Sequence, residues 1–323
     1  MNRDQLMTIT FKKRKLKNLP FFICAALFTN MACAKDASDT SSSSTDNFSA
    51  VVTIGMEYND TLSVTEIDAT STEDDTAIVV DLDLRYKKPI NSDTNAELGY
   101  SFSRSLYDDF DNFDIQSHLI SGDINHKFGD IKGGLTYRFF DFELDNDPLL
   151  DLQQISPYFT RFIGKEVFIR GSYTYSKKEY DTFTTRDAKT NSIELDAYYF
   201  IDGSQLYISG GYSYRDEDAN APQYDYDSNI LKAAVTKKIK VAEYDSKLKL
   251  SYRHEERDYS SITPSIGAVR DDTRRRAKLS WEFDISDDVK TILEYQHTNN
   301  KSNLASADYN QNVAGIMVEY AFK

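Results

Sequence analysis

The chain ends on Ala314-Gly315-Ile316-Met317-Val318-Glu319-Tyr320-Ala321-Phe322-Lys323, and this stretch decides the fold. Counting back from Phe322, every second residue is apolar or aromatic: Tyr320, Val318, Ile316 and Ala314. Glu319 and Gly315 stand among the residues between them. A period of two is that of a β-strand, whose successive side chains point to opposite faces. A strand that is apolar on one face, polar on the other and aromatic at its end suits a barrel wall between lipid and water. Any half-buried strand alternates, so the weight of this one depends on the rest of the chain.

The same alternation recurs from Phe48 onward, fourteen segments in all. Val52, Ile54, Met56 and Tyr58 alternate with Thr53, Gly55 and Glu57; Ile78, Val80, Leu82, Leu84 and Tyr86 alternate with Asp81, Asp83 and Arg85. Ile131 to Phe139 carries Lys132 and Arg138 on its polar parity, and Val167 to Tyr175 carries Arg170. Glu194 and Asp196 oppose Ile193, Leu195 and Ala197. Arg215, then Lys247, Lys249 and Arg253, then Glu282, continue the pattern. The segment from Ile155 to Ile163 is interrupted by Pro157, which lacks the N–H that a ladder needs.

The connections alternate in length. Phe128-Gly129-Asp130, Ile163-Gly164-Lys165, Asp202-Gly203-Ser204, Val241-Ala242-Glu243 and Ser286-Asp287-Asp288 read as tight turns. Between them come long polar loops: 59–75, 105–112, 141–151, 177–187, 216–223, 255–272 and 298–308. Outer-membrane barrels have short periplasmic turns and long extracellular loops, and an even strand count puts both termini on the periplasmic side. The expectation is an all-β chain: a single closed antiparallel transmembrane barrel over residues 48–323. The competing expectation is a large soluble sandwich, whose charged face meets bulk water and whose loops need not alternate in length.

The N-terminus fits export to an outer membrane. Lys12, Lys13, Arg14, Lys15 and Lys17 precede the apolar run from Leu19 to Phe28, and Ala32-Cys33-Ala34 is a small-x-small cleavage site. Residues 1–34 therefore read as a secretory signal, with Met7 as an alternative start and lipidation at Cys33 as a competing fate. Residues 35–47 read as a Ser-rich flexible leader. Cys24 and Cys33 both fall within the signal, so residues 35–323 contain no cysteine. Removing residues 1–34 takes away six basic residues and one acidic, leaving 32 basic against 51 acidic. That balance argues against nucleic acid as a partner.

On a closed barrel the polar parity lines the lumen. The candidates are Glu57, Asp81, Asp83, Arg85, Lys132, Arg138, Arg170, Glu194, Asp196, Arg215, Lys247, Lys249, Arg253, Glu282 and Glu319. They either leave a narrow wet pore or fill it with ion pairs. The acid-rich loops, such as Glu73-Asp74-Asp75 and Asp145-Asn146-Asp147, lack the twelve-residue calcium-loop spacing. Arg274-Arg275-Arg276 is the one dense basic run beyond the signal; it stands where a loop re-enters a strand, either as a contact for lipopolysaccharide phosphate or as a solvated strand end. His118, His126, His254 and His297 form no catalytic constellation with neighbouring Ser, Asp or Glu. The expectation is a non-enzymatic protein without cofactor or metal.

The closing strand resembles the C-terminal signature of bacterial outer-membrane barrels, differing in the Lys323 that follows the aromatic. More narrowly, the last fifty or so residues resemble the C-terminal barrel of surface lipoprotein assembly modifiers. The resemblance rests on Arg270-Asp271-Asp272, Tyr295, Ser302-Asn303, Tyr309-Asn310, Asn312 and Gly315, closing at Tyr320 and Phe322. It implies a fourteen-strand barrel and a part in moving lipoproteins to the cell surface. Three roles stand as expectations: a narrow channel for small polar solutes, an accessory barrel for lipoprotein or polysaccharide export, and a structural or adhesive surface protein. The expected surroundings are outer-membrane lipid, lipopolysaccharide and the barrel assembly machinery. Tyr320 and Phe322 are the candidate assembly signal. Phe322→Ala is therefore expected to lower the outer-membrane level of the protein, whereas removal of Lys323 leaves it unchanged; quantitative blotting of membrane fractions separates the two.

Overall fold

The computed structural model describes residues 47–322. The signal-like segment, nearly all of the leader, and Lys323 lie outside the described residues. The barrel opens with β1 (Phe48–Asn59), and its first long connection holds a separate hairpin, β2 (Leu62–Val64) and β3 (Ala69–Ser71). The wall continues with β4 (Asp75–Pro89), β5 (Thr94–Tyr107), β6 (Ile115–Phe128), β7 (Ile131–Leu144), β8 (Asp147–Ile163) and β9 (Val167–Tyr180). It is completed by β10 (Ala188–Asp202), β11 (Leu206–Ala219), β12 (Tyr226–Val241), β13 (Tyr244–Thr263), β14 (Ala268–Asp284), β15 (Val289–Ser302) and β16 (Tyr309–Phe322).

Fourteen strands close into one antiparallel ring, each paired with the next in the wall. β16 returns to β1, from Ala50↔Phe322 to Asn59↔Val313. Closure satisfies every edge, which a sheet surrounded by hydrocarbon requires. The strand containing Pro157 forms as expected: Pro157 pairs with Leu135, and the ladder to β9 resumes at Tyr158↔Ser172.

The faces divide as the alternation requires. Leu98, Ile120, Ile193, Leu195, Leu231, Leu250 and Ile316 are all exposed on the outside. In water each such side chain would forgo about 1.5–3 kcal/mol of burial; in lipid it does not. A row of outward tyrosines marks the upper lipid boundary. Tyr173, Tyr212 and Tyr295 donate to Asn191, Asn229 and Asn312 at 2.6, 2.7 and 2.7 Å. Their rings lie against the apolar belt while their hydroxyls reach the wet side, which is the amphipathic habit of interfacial aromatics.

Above that boundary the chain departs from the expected loops. Segments 141–151 and 255–272 are not irregular. β7 and β8 run on to a two-residue turn, Asp145-Asn146, with φ of 52° and 64°. That is the left-handed pair of a type I′ hairpin. β13 reaches Thr263, and β14 starts at Ala268. Beyond the lipid both faces meet water, so hydropathy stops alternating although the strand continues. The Arg274-Arg275-Arg276 run likewise belongs to β14 rather than to a loop re-entry, and its residues pair with Glu255, His254 and Arg253 of β13. Consecutive strand residues face opposite ways, so Arg275 points outward and its two neighbours inward.

The seam between β1 and β16 is tightest at Gly55, which pairs with Met317. A Cβ on Gly55 would collide with the Met317 side chain and the Ile316 carbonyl. Met317 is buried there. Gly55→Val is expected to impair closure while a change at the neighbouring lipid-facing Ile54, to Leu, does not. The check is the heat-dependent gel shift that distinguishes closed from open barrels.

Candidate functional site

The inner face carries paired charge. Glu194 and Asp196 of β10 hold Lys232 of β12 at 2.9 and 3.1 Å. Lys247 meets Glu282 at 3.0 Å, and Lys290 meets Glu319 at 3.0 Å. Asp83 accepts from Ser101 at 2.6 Å, and Arg85 stands 3.7 Å from it. Arg170 lies over the Tyr158 ring at 4.1 Å. Arg138 neighbours Arg170, Asp123 and Glu194. Glu57 is buried beside Glu294, Lys278 and Asp81. Arg215 lies near Tyr226, Glu255 and Glu217. Lys132 and Lys249 are exposed on this face.

Several inward charges lie outside the sequence candidates. Glu255 takes Arg253 at 3.0 Å and Arg257 at 2.8 Å, and Glu217 takes Lys178 at 2.6 Å. Lys278 pairs with Glu294 at 2.7 Å. The signal was present for some of these: Arg215-x-Glu217 and Arg253-x-Glu255-x-Arg257 keep strand parity into stretches whose polarity suggested loops.

The decisive feature is the connection between β1 and β4. It turns inward across the ring: its apolar side chains reach β7, β8 and β9, on the far side from β1, and its ionic contacts are with Arg186 of the β9–β10 connection and Arg270 of β14. Leu62 and Val64 are buried against Phe113, Phe142, Leu150, Leu152 and Tyr180. The Tyr180 hydroxyl donates to the Glu66 carbonyl at 3.3 Å, and Thr70 Oγ1 donates to the Ser306 carbonyl at 3.0 Å. Asp68, at φ 53°, is the anchor. Its carboxylate accepts from Arg186 at 2.7 Å and from both terminal nitrogens of Arg270 at 2.9 and 2.8 Å. Arg270 also grips Asp272 at 2.7 Å, so one guanidinium serves two carboxylates. Asp68 is 9% exposed and Arg270 4%. Burial alone would raise the Asp68 carboxyl, but hydrogen bonds and charge from Arg270 and Arg186 hold it below its ordinary value.

Several other acidic residues of the long connections cap backbone N–H groups. Asp75 accepts the N–H groups of Asp109 and Phe110 at 3.0 and 2.9 Å. Asp114 and Asp187 accept from Tyr107 and Tyr180. Among the described residues no group of three or more His, Asp or Glu is placed to hold a metal ion. His118, His126, His254 and His297 bond separately to Tyr100, Thr94, Glu256 and Asn312.

The family model for surface lipoprotein assembly modifiers matches residues 39–322. The chain belongs to this family. Solved structures share its architecture. OmpT folded in vitro, an outer membrane protein of Vibrio cholerae, superposes with a TM-score of 0.52 at 11% identity, covering 86% of this chain and 99% of that one. The outer-membrane expressed OmpT of Vibrio cholerae gives 0.52 at 13% identity, with 86% and 99% covered. CdiB from Acinetobacter baumannii gives 0.52 at 9%, covering 86% of this chain and 60% of that one. At such identities the likeness is one of fold. No curated protein sequence matches. Family and fold together make this chain an outer-membrane barrel.

The latch gives a direct expectation. Asp68→Ala breaks a buried pair, which costs about 3–5 kcal/mol. Amide protection over Leu62–Ser71 should fall by roughly a hundredfold or more in hydrogen exchange, while the protection of β10–β12 stays unchanged. A carboxylate lowered on folding adds stability above its unfolded pKa and loses it as the pH falls through the folded value. Protection of the wild-type loop should therefore hold from neutrality down to the ordinary 3.8 and fail only at lower pH.

Proposed function

We propose that the protein is a narrow outer-membrane channel for small polar solutes, held at a small aperture by the connection between β1 and β4. The observation that carries this reading is the Asp68 latch: one carboxylate ties the first long connection to Arg186 in the β9–β10 connection and to Arg270 on β14. A barrel that only needed filling could use apolar side chains, which serve as well as buried ion pairs or better. A latch made of charge can instead be released by a competing charge. The inner candidates support the same reading, since Lys132, Lys249, Arg138 and Glu57 present polar walls to a passing solute. The barrel is read as a conduit with no chemistry of its own.

The family match favours a second reading. The barrel would assist display of a surface lipoprotein, as the family description suggests, or export of a polysaccharide. In either case the barrel assembly machinery would insert it through Tyr320 and Phe322, and lipopolysaccharide would surround its outer strands.

Planar-bilayer recording tests the first reading. The wild-type protein should give small discrete conductance steps, and Asp68→Ala and Arg186→Ala should each raise them severalfold. A barrel silent in all three forms would contradict it. If it is silent, and deletion also removes a lipoprotein from the cell surface, the second reading takes its place.

A further inference from the structure

Midway along the wall, β10 to β14 enclose a hollow of about 170 Å³ on the inner face. Its floor is one cross-strand row of small residues, Ser209↔Ala234↔Ser251, closed by Tyr198 at one end and Lys278 at the other. The row on the extracellular side is Asp196↔Gly211↔Lys232↔Arg253↔Arg276, one acid at its β10 end and three cations along the rest. Lys249 stands on the periplasmic side, opposite Thr236 and Ser280. Small side chains at the centre and long cationic ones around it make a bowl, because a pleated sheet places same-face neighbours side by side.

The local charge does not cancel. Lys232 is held by Glu194 and by Asp196, the one carboxylate that lines the hollow, and Lys278 by Glu294. Arg253 shares Glu255 with Arg257, and Arg215 and Arg274 also lie near that one carboxylate. Lys249 has no ion pair among the described residues. The bowl therefore combines an excess of cationic donors with the hydroxyls of Ser209, Ser251 and Tyr198. That donor set suits an oxyanion, whose oxygens accept several hydrogen bonds at once.

We propose that this bowl is an anion subsite in the lumen, binding the phosphate or carboxylate group of a small solute. The inference rests on reading the lumen as solvent-filled, and it assigns that conduit a class of cargo. Lys249 supplies the uncompensated charge, and Ser251 keeps the floor open.

The test uses the full barrel folded in detergent micelles. Line broadening of inorganic phosphate is followed by ³¹P NMR, with ¹³C-labelled acetate in a parallel arm. The wild-type protein should broaden one or both probes saturably. Phosphate alone or acetate alone would identify which oxyanion the bowl prefers. Lys249→Gln should weaken the effect about tenfold, the loss of one charge-assisted contact; Lys249→Arg should retain it. Ser251→Leu, which fills the floor, should abolish it. The heat-dependent gel shift confirms closure of each variant. No broadening by the wild type, or equal broadening by wild type and Lys249→Gln, would overturn the proposal. The readout needs no current: a conducting barrel without broadening refutes the subsite alone, and a silent barrel that still broadens phosphate refutes the channel alone.

Discussion

Hydrocarbon offers no partner to a backbone N–H or C=O, and this one constraint governs the rest of the structure. It forces the sheet to close, so β16 must return to β1 and the seam must tolerate Met317 over Gly55. Closure fixes an inside and an outside, and the two-residue period then assigns every wall residue to one of them. The outer parity becomes apolar because lipid requires it. The inner parity becomes polar, and in a space this narrow polar groups need partners. The ion pairs of Lys232, Lys247, Lys278 and Lys290 are thus the inward consequence of a rule imposed from outside.

Much of this was legible in the sequence, and for a physical reason. Wherever one face of a strand meets lipid and the other water, hydropathy reports geometry directly. Ile193-Glu194-Leu195-Asp196 places its own side chains. The fourteen strands, the tight turns and the polar parity all follow from that contrast. Above the tyrosine row the contrast vanishes, and with it the signal. Arg257, Asp272 and the ends of β13 and β14 lie in strands that read as loops. The parity of Arg253-x-Glu255-x-Arg257 persisted there, but charge on alternate positions means little when both faces are wet.

The inward fold of the first connection was hidden for a different reason. Its anchor joins Asp68 to residues 118 and 202 positions away, and no local pattern encodes such a pairing. One local hint existed. Leu62, Val64 and Ile67 are apolar residues in an otherwise polar connection, and in the structure they face the aromatic and aliphatic wall of β7, β8 and β9. Along the barrel axis the lumen then has an order. The latched connection lies towards the extracellular mouth, the cationic bowl lies below it, and the periplasmic end carries Phe162 with its ring against Phe168 and Phe200. On the proposed channel reading, selection by charge and restriction by size fall on different parts of the wall, so each can be altered without the other.

The central claim is that the connection between β1 and β4 stays docked within the mouth of the membrane-embedded barrel. Residues 35–323 contain no cysteine, so with Cys24 and Cys33 changed to Ser a pair can be introduced without background. Thr70→Cys with Ser306→Cys bridges the contact made by the Thr70 hydroxyl. The account predicts that this pair forms a disulfide in isolated outer membranes under mild oxidation, and that the locked barrel keeps the small conductance of the wild type even when Asp68→Ala is added. Two thiols that stay reduced and react fully with a membrane-impermeant maleimide would contradict it.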